Sequence, residues 1–214
     1  YQLKAIHRLI ASSTTYRQAA TFNRQAADID AENRLLWRKS PQRLEAEVVR
    51  DTMLSVAGVL NLKRGGPGFE DVKIVPNNGT TYYEPFDSDD VELNRRTVYR
   101  FSPRGGRMAL LDVFDCPDPS AAAPRRSVTT TPLQALSLLN NAFVLRMTNH
   151  LAKRVRQESG ENNLDAQVKR AFQLCLGRTP TADEQKLAKQ LITEHGLPAL
   201  ARALFNTNEF LIAQ

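Results

Sequence analysis

Cysteine is scarce in this chain, and the little there is follows no pattern. The 214 residues hold two, Cys116 and Cys175, with no CxxC, no CxxCH and no zinc-type spacing. That argues against a structural zinc site and covalent haem attachment, so no cofactor is expected here. Two separate buried thiols are expected, a single disulfide being the alternative in an oxidising compartment. Tryptophan is reduced to Trp37 and histidine to three residues. His7 has no His or Glu partner at metal-binding spacing, so it reads as a packed or exposed side chain. The glycine cluster RGGPG at 64–68 lacks GK[ST] and a strand-to-helix setting, which excludes a phosphate loop. No apolar run approaches the length of a membrane span, and no signal-peptide pattern opens the chain. No repeat period is present, which disfavours a solenoid. An amphipathic pattern begins at once, and the chain is expected to be a fragment of a longer protein.

What remains is ordinary for a globular domain: 42% hydrophobic residues, 24% charged and a formal net charge of +6. This is enough apolar material for a sizeable core, and the mildly basic balance permits an anionic partner without requiring one. The most legible stretch runs from Arg125 to Val155. Thr131, Pro132 and Gln134 form a capping box with Pro at the first helical position. Leu133, Leu136, Leu139, Phe143, Met147, Leu151 and Val155 then recur at mostly helical spacing. A long central helix is expected, bent at Asn140–Asn141 and stopped at Gly160.

Leu3, Ile6, Leu9 and Ile10 make an apolar helical face within 1–20. Leu35, Leu36 and Trp37 form a short patch with Trp37 as a buried anchor. Ser40–Pro41 reads as the start of a second helix, its stripe Leu44, Val48, Thr52, Val56 and Val59, with Glu45, Glu47, Arg50 and Asp51 largely on the other side. Three further helices follow the central one: Asn163 to Leu176, Thr181 to Glu194 behind a second capping box with Glu184, and Pro198 to about Asn206. In the last but one, Leu187, Leu191 and Ile192 are expected inward. Between the helical parts, Val72–Val75 and Thr97–Phe101 look like short strands, Asn77–Asn78–Gly79 like a turn, and Met108–Phe114 like strand or helix. The expected fold is mainly α: one compact multi-helix domain over 1–214, helical over 1–60, irregular with short strands over 61–128, helical over 129–214.

Three constellations are candidates for chemistry. Asp87, Asp89 and Asp90, with Glu92, offer alternate carboxylates of the kind Ca²⁺ takes. The EF-hand pattern fails, and a solvated acidic loop is the expected reading, with no metal. Asp112, Asp115 and Asp118 around Cys116–Pro117 could divide acid and base roles, but turn chemistry explains them equally, and no His base is indicated for Cys116. Arg95, Arg96, Arg100, Arg107, Arg125 and Arg126, joined by Arg104, lie near Tyr82, Tyr83 and Tyr99. Guanidinium forks suit carboxylate, sulfate or phosphate, and aromatic faces suit sugars. Arg95, Arg96, Tyr99, Arg100, Arg107, Arg125 and Arg126 are therefore the candidate ligand residues, with internal pairing to the acidic run as the competing reading. No nucleic-acid motif is present.

The blocks NRLLWRKSPQRLEAEVVRDTMLSVAG, NRRTVYRF, LLDVFDCPDPS, Arg125–Arg126, TPLQALSLLNN, LGRTPTADE and ALFNTNEFL, in this order, resemble the planctomycete domain of unknown function 1553. The likeness spans nearly the whole chain. It implies the C-terminal module of large exported proteins, often with an upstream cytochrome c segment, and hence an extracytoplasmic location, periplasmic or in the cell envelope. It carries over no catalytic residue. The expectation is a non-catalytic interaction or scaffold module whose partners are upstream domains of the same chain or another envelope protein. The alternative is a domain that binds or degrades an anionic polysaccharide.

Overall fold

The computed structural model describes residues 2–106 and 108–213. In chain order these form α1 (Leu3–Ser12), α2 (Arg24–Ile29), β1 (Gln42–Arg43) and α3 (Ala46–Ala57). The hairpin β2 (Val72–Asn77) and β3 (Thr80–Pro85) comes next, followed by α4 (Ala109–Val113), α5 (Pro132–Asn140) and α6 (Ala142–Ser159). The chain ends in α7 (Leu164–Leu176), α8 (Ala182–His195), α9 (Leu197–Phe205), α10 (Asn208–Leu211) and β4 (Ile212–Ala213). The fold is mainly α with a small β-containing middle. Two units are distinct: residues 1–43 with 212–214, and residues 44–211.

In the first unit α1 ends where the Ser12 and Ser13 hydroxyls donate back to the carbonyls of Arg8 and Ile10, at 2.8 and 2.7 Å, a local competition that weakens helix continuation. Asn23 caps α2 by accepting from the Ala26 amide. Trp37 is half-buried; its Nε1 donates to the Asp30 carbonyl at 2.8 Å, Phe22 meets its ring edge-on, and the Arg38 guanidinium lies over it. Ser40–Pro41 does not start a helix. Gln42 and Arg43 pair antiparallel with Ala213 and Ile212, so long-range pairing overrides the local cap signal, and α3 begins at Ala46 instead.

The second unit is built around α6, which packs against α3, α7 and α9. Phe143, Val144, Met147, Leu151 and Val155 of α6 meet Val49, Met53 and Leu54 of α3, Val168 and Phe172 of α7, and Leu200, Leu204 and Phe205 of α9 in one buried cluster. The expected bend is a full break. Asn141, extended at φ −66° and ψ 133°, ends α5 and caps α6, its side chain accepting from the Phe143 amide. The break resets the helical phase, so α5 buries Gln134 and Leu138 while Leu133 and Leu136 are exposed. Leu187 of α8 is likewise exposed, and Ala188 and Ile192 face inward. Both capping boxes, Thr131–Gln134 and Thr181–Glu184, are formed.

The buried face of α3 is Ala46, Val49, Arg50, Met53, Leu54 and Ala57, one position off the expected stripe; Val48 is exposed. Thr97–Phe101 is not a strand. Thr97–Tyr99 is a 3₁₀ turn, with Phe69 and Arg100 forming only an isolated bridge. Asp51 explains it: one carboxylate oxygen accepts from the Thr97 amide at 2.7 Å and its hydroxyl at 2.6 Å, binding this segment to α3 rather than to a neighbouring strand.

Candidate functional site

In the second unit a pocket of about 150 Å³ opens beside α3. Its floor is Arg50, Asp71, Leu93, Leu110 and Phe143, all buried; Phe86, Ala109 and Ala142 stand exposed at its mouth. Arg50 is 2% exposed. It survives burial because the turns at 91–99 leave carbonyls outside any regular ladder. Its Nη2 donates to the Leu93 carbonyl at 2.6 Å, and its Nη1 to the Arg95 carbonyl at 3.0 Å and Thr97 Oγ1 at 3.2 Å. Its Cζ lies over the rings of Phe69 and Phe143, 5.2 and 5.1 Å from their centroids. Burial lowers its pKa to about 10, opposed chiefly by Asp71, so it stays a cation at neutral pH. Asp71, 6% exposed, accepts from Arg100 Nε at 2.8 Å through Oδ2. Arg146 of α6 also lines the pocket, held by Asp87 through Nε at 2.8 Å and Nη2 at 2.7 Å, with Nη1 on Asn94 Oδ1 at 3.0 Å.

The arginine candidates separate into interior and exterior groups. Arg95 is 1% exposed; Nη1 donates to the Pro67 carbonyl at 2.8 Å and Nη2 to the Gly65 carbonyl at 2.7 Å. The RGGPG loop thus wraps a guanidinium, with the Tyr99 ring 4.3 Å from its Cζ. Tyr99 Oη accepts from the Gly65 amide. Arg100 is buried against Asp71. Arg96 stays 60% exposed at 3.4 Å from Asp51, and Arg125 is exposed. Arg126 forms a two-pronged pair with Glu47, at 2.7 and 2.8 Å. That bond lowers the Glu47 pKa and raises that of Arg126. Arg107 lies outside the described residues.

The acidic run reaches α6. Asp87 holds Arg146, and Asp89 Oδ1 lies 2.8 Å from His150 Nε2 and 3.4 Å from Arg146 Nη1. The His150 contact leads in lowering the Asp89 pKa. Asp90 instead caps the turn Val91–Asn94 through the Glu92 amide. Among the described residues no group of three or more His, Cys, Asp or Glu is placed to hold a metal.

Asp115, at φ 63°, accepts from the Thr129 amide at 2.7 Å and hydroxyl at 2.9 Å. Asp118 accepts from the Ser120 amide, and Asp112 lies in α4. None of these three carboxylates lines the pocket beside Arg50. Cys116 Sγ sits 3.8 Å from Glu47 Oε1; burial first, and then the Glu47 charge, push its pKa up to about 11. Burial pushes Cys175 up to about 12. Both cysteines are free and both are neutral thiols at pH 7, the unreactive form.

Asp71 and Arg146 escaped the sequence reading, and Arg50, expected on the side away from the apolar stripe, lies on the buried face of α3 instead. A signal for Arg50 exists: positions 46, 49, 50, 53, 54 and 57 form an unbroken helical face on which Arg50 is the only charged member. A second surface lies in the first unit. Leu3, Ile6, Leu9 and Ile10 of α1 are 47–72% exposed, and α1 has no buried residue. No helix among the described residues is long and apolar enough to cross a membrane.

A family model described as PSD1, protein of unknown function (DUF1553), matches residues 1–192. No curated protein and no solved structure matches the chain.

Proposed function

The chain belongs to the DUF1553 family, and from that premise we propose that it is a non-catalytic interaction module of a larger exported multidomain protein. The observation that carries this reading is the uncovered face of α1. Four large aliphatic side chains line one side of a ten-residue helix, 47–72% exposed. Fully burying such a side chain is worth about 1.5–3 kcal/mol, so a surface that covers the face gains substantially by doing so. The charge around it selects the partner. Residues 2–27 carry Lys4, Arg8, Arg17 and Arg24 and no carboxylate. The complementary surface is apolar at its centre and rimmed by Asp and Glu, and we assign it to another domain of the same exported protein. In the full-length protein, proteolytic separation of this module followed by co-purification tests the assignment. The wild-type module stays attached, and Ile6→Glu with Leu9→Glu releases it while its helical circular dichroism is kept. Retention of the double variant contradicts the reading.

A second reading, binding of an anionic polysaccharide, draws support from the exposure of Arg96 and Arg125. Here binding to a sulfated polysaccharide weakens as salt rises, and Arg96→Ala with Arg125→Ala reduces it. Replacing Lys186 and Lys189 leaves it unchanged. Equal loss from both pairs means diffuse charge attraction only.

A further inference from the structure

We propose that the outer edge of β3 is a self-association surface, where a second copy of this chain adds its own β3 antiparallel across a two-fold axis at Tyr82. The first ground is the hydrogen-bonding phase of the hairpin. β2 and β3 form a sheet of two strands only. Asn78 and Gly79, at φ 46° and 79°, close it as a two-residue loop, so the flanking pair Asn77–Thr80 is a hydrogen-bonded one. At the far end the Phe86 amide donates to the Asp71 carbonyl at 2.9 Å. Val75–Tyr82 and Lys73–Glu84 lie between them in the same phase. The amides and carbonyls of Thr81 and Tyr83 therefore point away from β2. Among the described residues no backbone group outside the hairpin bonds to them.

The second ground is the contrast between the two edges. The outward positions of β2 are Val72, Ile74 and Pro76; Pro76 has no amide to donate, and Val72 is 3% exposed. β3 is exposed at every position except half-buried Tyr83, and Thr80–Tyr83 is an uncharged run of β-branched and aromatic residues. The third ground is cover. A two-stranded hairpin is marginal alone and gains from a third strand or a helix. Among the described residues no helix is packed along either strand, and Ile74 and Tyr82 are 51% and 53% exposed. The register selects the occupant. With Tyr82 opposite its own copy, Thr81 of each chain faces Tyr83 of the other, which pairs both amides and both carbonyls of each edge. Each Thr81 then meets an aromatic neighbour, and the two Tyr82 rings meet at the axis. Charge fits as well. Glu84, the charged residue of β3, falls opposite Thr80 of the second copy and not opposite its own kind. Pro85 falls opposite Gly79 and ends the pairing.

Sedimentation equilibrium of the full chain is the test. A reversible dimer of the 24.0 kDa chain is expected. It should be half-formed between about 10 µM and 1 mM, because one strand edge is small beside a standard interface. Thr81→Pro removes an outward amide and no bond of the hairpin itself, as Pro76 opposite it already does, and weakens association by about tenfold or more. Tyr82→Lys and Tyr82→Glu each set like charges at the axis and disperse the dimer; at 53% exposure neither change disturbs the fold. Mixing the Lys and Glu variants restores association, because the two opposite charges then face each other across the axis. Helical circular dichroism stays that of the wild type in all three. A chain that remains monomeric at about 1 mM, a dimer undiminished by Thr81→Pro, or a mixture no more dimeric than either Tyr82 variant alone would each overturn the proposal.

Discussion

Leu3, Ile6, Leu9 and Ile10 in α1 and Phe143, Met147, Leu151 and Val155 in α6 are written in the same helical spacing, yet their fates differ. The α6 stripe is buried to 4% exposure or less, against α3, α7 and α9. The α1 stripe is exposed along its whole length, and no described residue from 2 to 43 is buried. Period alone states that a face needs cover. It does not state which element supplies the cover, or whether that element lies in the same unit. The second unit satisfies its own helices; the first presents a face that nothing in it conceals.

The difference can be broken or sharpened by substitution. The largest effect is expected inside the second unit, at its buried cation. Arg50→Ala removes three hydrogen-bond donations and strands the Leu93 and Arg95 carbonyls. It should cost about 3–5 kcal/mol in urea unfolding, whereas exposed Arg96→Ala stays within about 0.5 kcal/mol. Next come the two stripes themselves. Leu151→Ala in α6, at 0% exposure, should cost about 2–5 kcal/mol. Leu9→Ala in α1 should stay within about 0.5 kcal/mol in the isolated chain; a cost near that of Leu151→Ala would mean that the α1 face is covered after all.

The smallest effect concerns a charge clamp of the second unit. Arg178 holds Glu184 at 2.7 and 2.8 Å and Glu209 at 2.7 and 2.9 Å. The Arg178 bond leads in lowering the Glu184 pKa from 4.5 to about 2. A depressed carboxylate pKa stabilises the fold above the unfolded value, and the contribution is lost as pH falls through the folded one. Stability should therefore decline from pH 4.5 toward 2, and Glu184→Gln should flatten that slope in acid denaturation.

Features set by neighbours in sequence were legible. Thr131–Gln134 and Thr181–Glu184 cap their helices, and Asn163 and Gly177 bracket α7, because those contacts lie within a few residues. Features set from afar were not. Ser40–Pro41 carries a good local start signal that pairing with residues 212–213 overrides. Thr97–Phe101 has β-branched and aromatic residues, yet Asp51 holds Thr97 in a turn. The pocket joins residues 50, 71 and 146, which no local pattern brings together, since the carbonyls, guanidinium and carboxylate that pair with them come from other segments. The arginine cluster was visible as a cluster, but its division into buried Arg95 and Arg100 and exposed Arg96 and Arg125 depends on the RGGPG carbonyls and Asp71.

Amide hydrogen exchange on the isolated chain tests the contrast between α1 and α6 most directly. Amides from Met147 to Val155, under a buried stripe, should exchange only through global unfolding, and those of α1 through local opening, orders of magnitude faster. Protection of α1 equal to that of α6 would show that its apolar face is already covered, and would contradict the proposal that it is a surface held open for a partner.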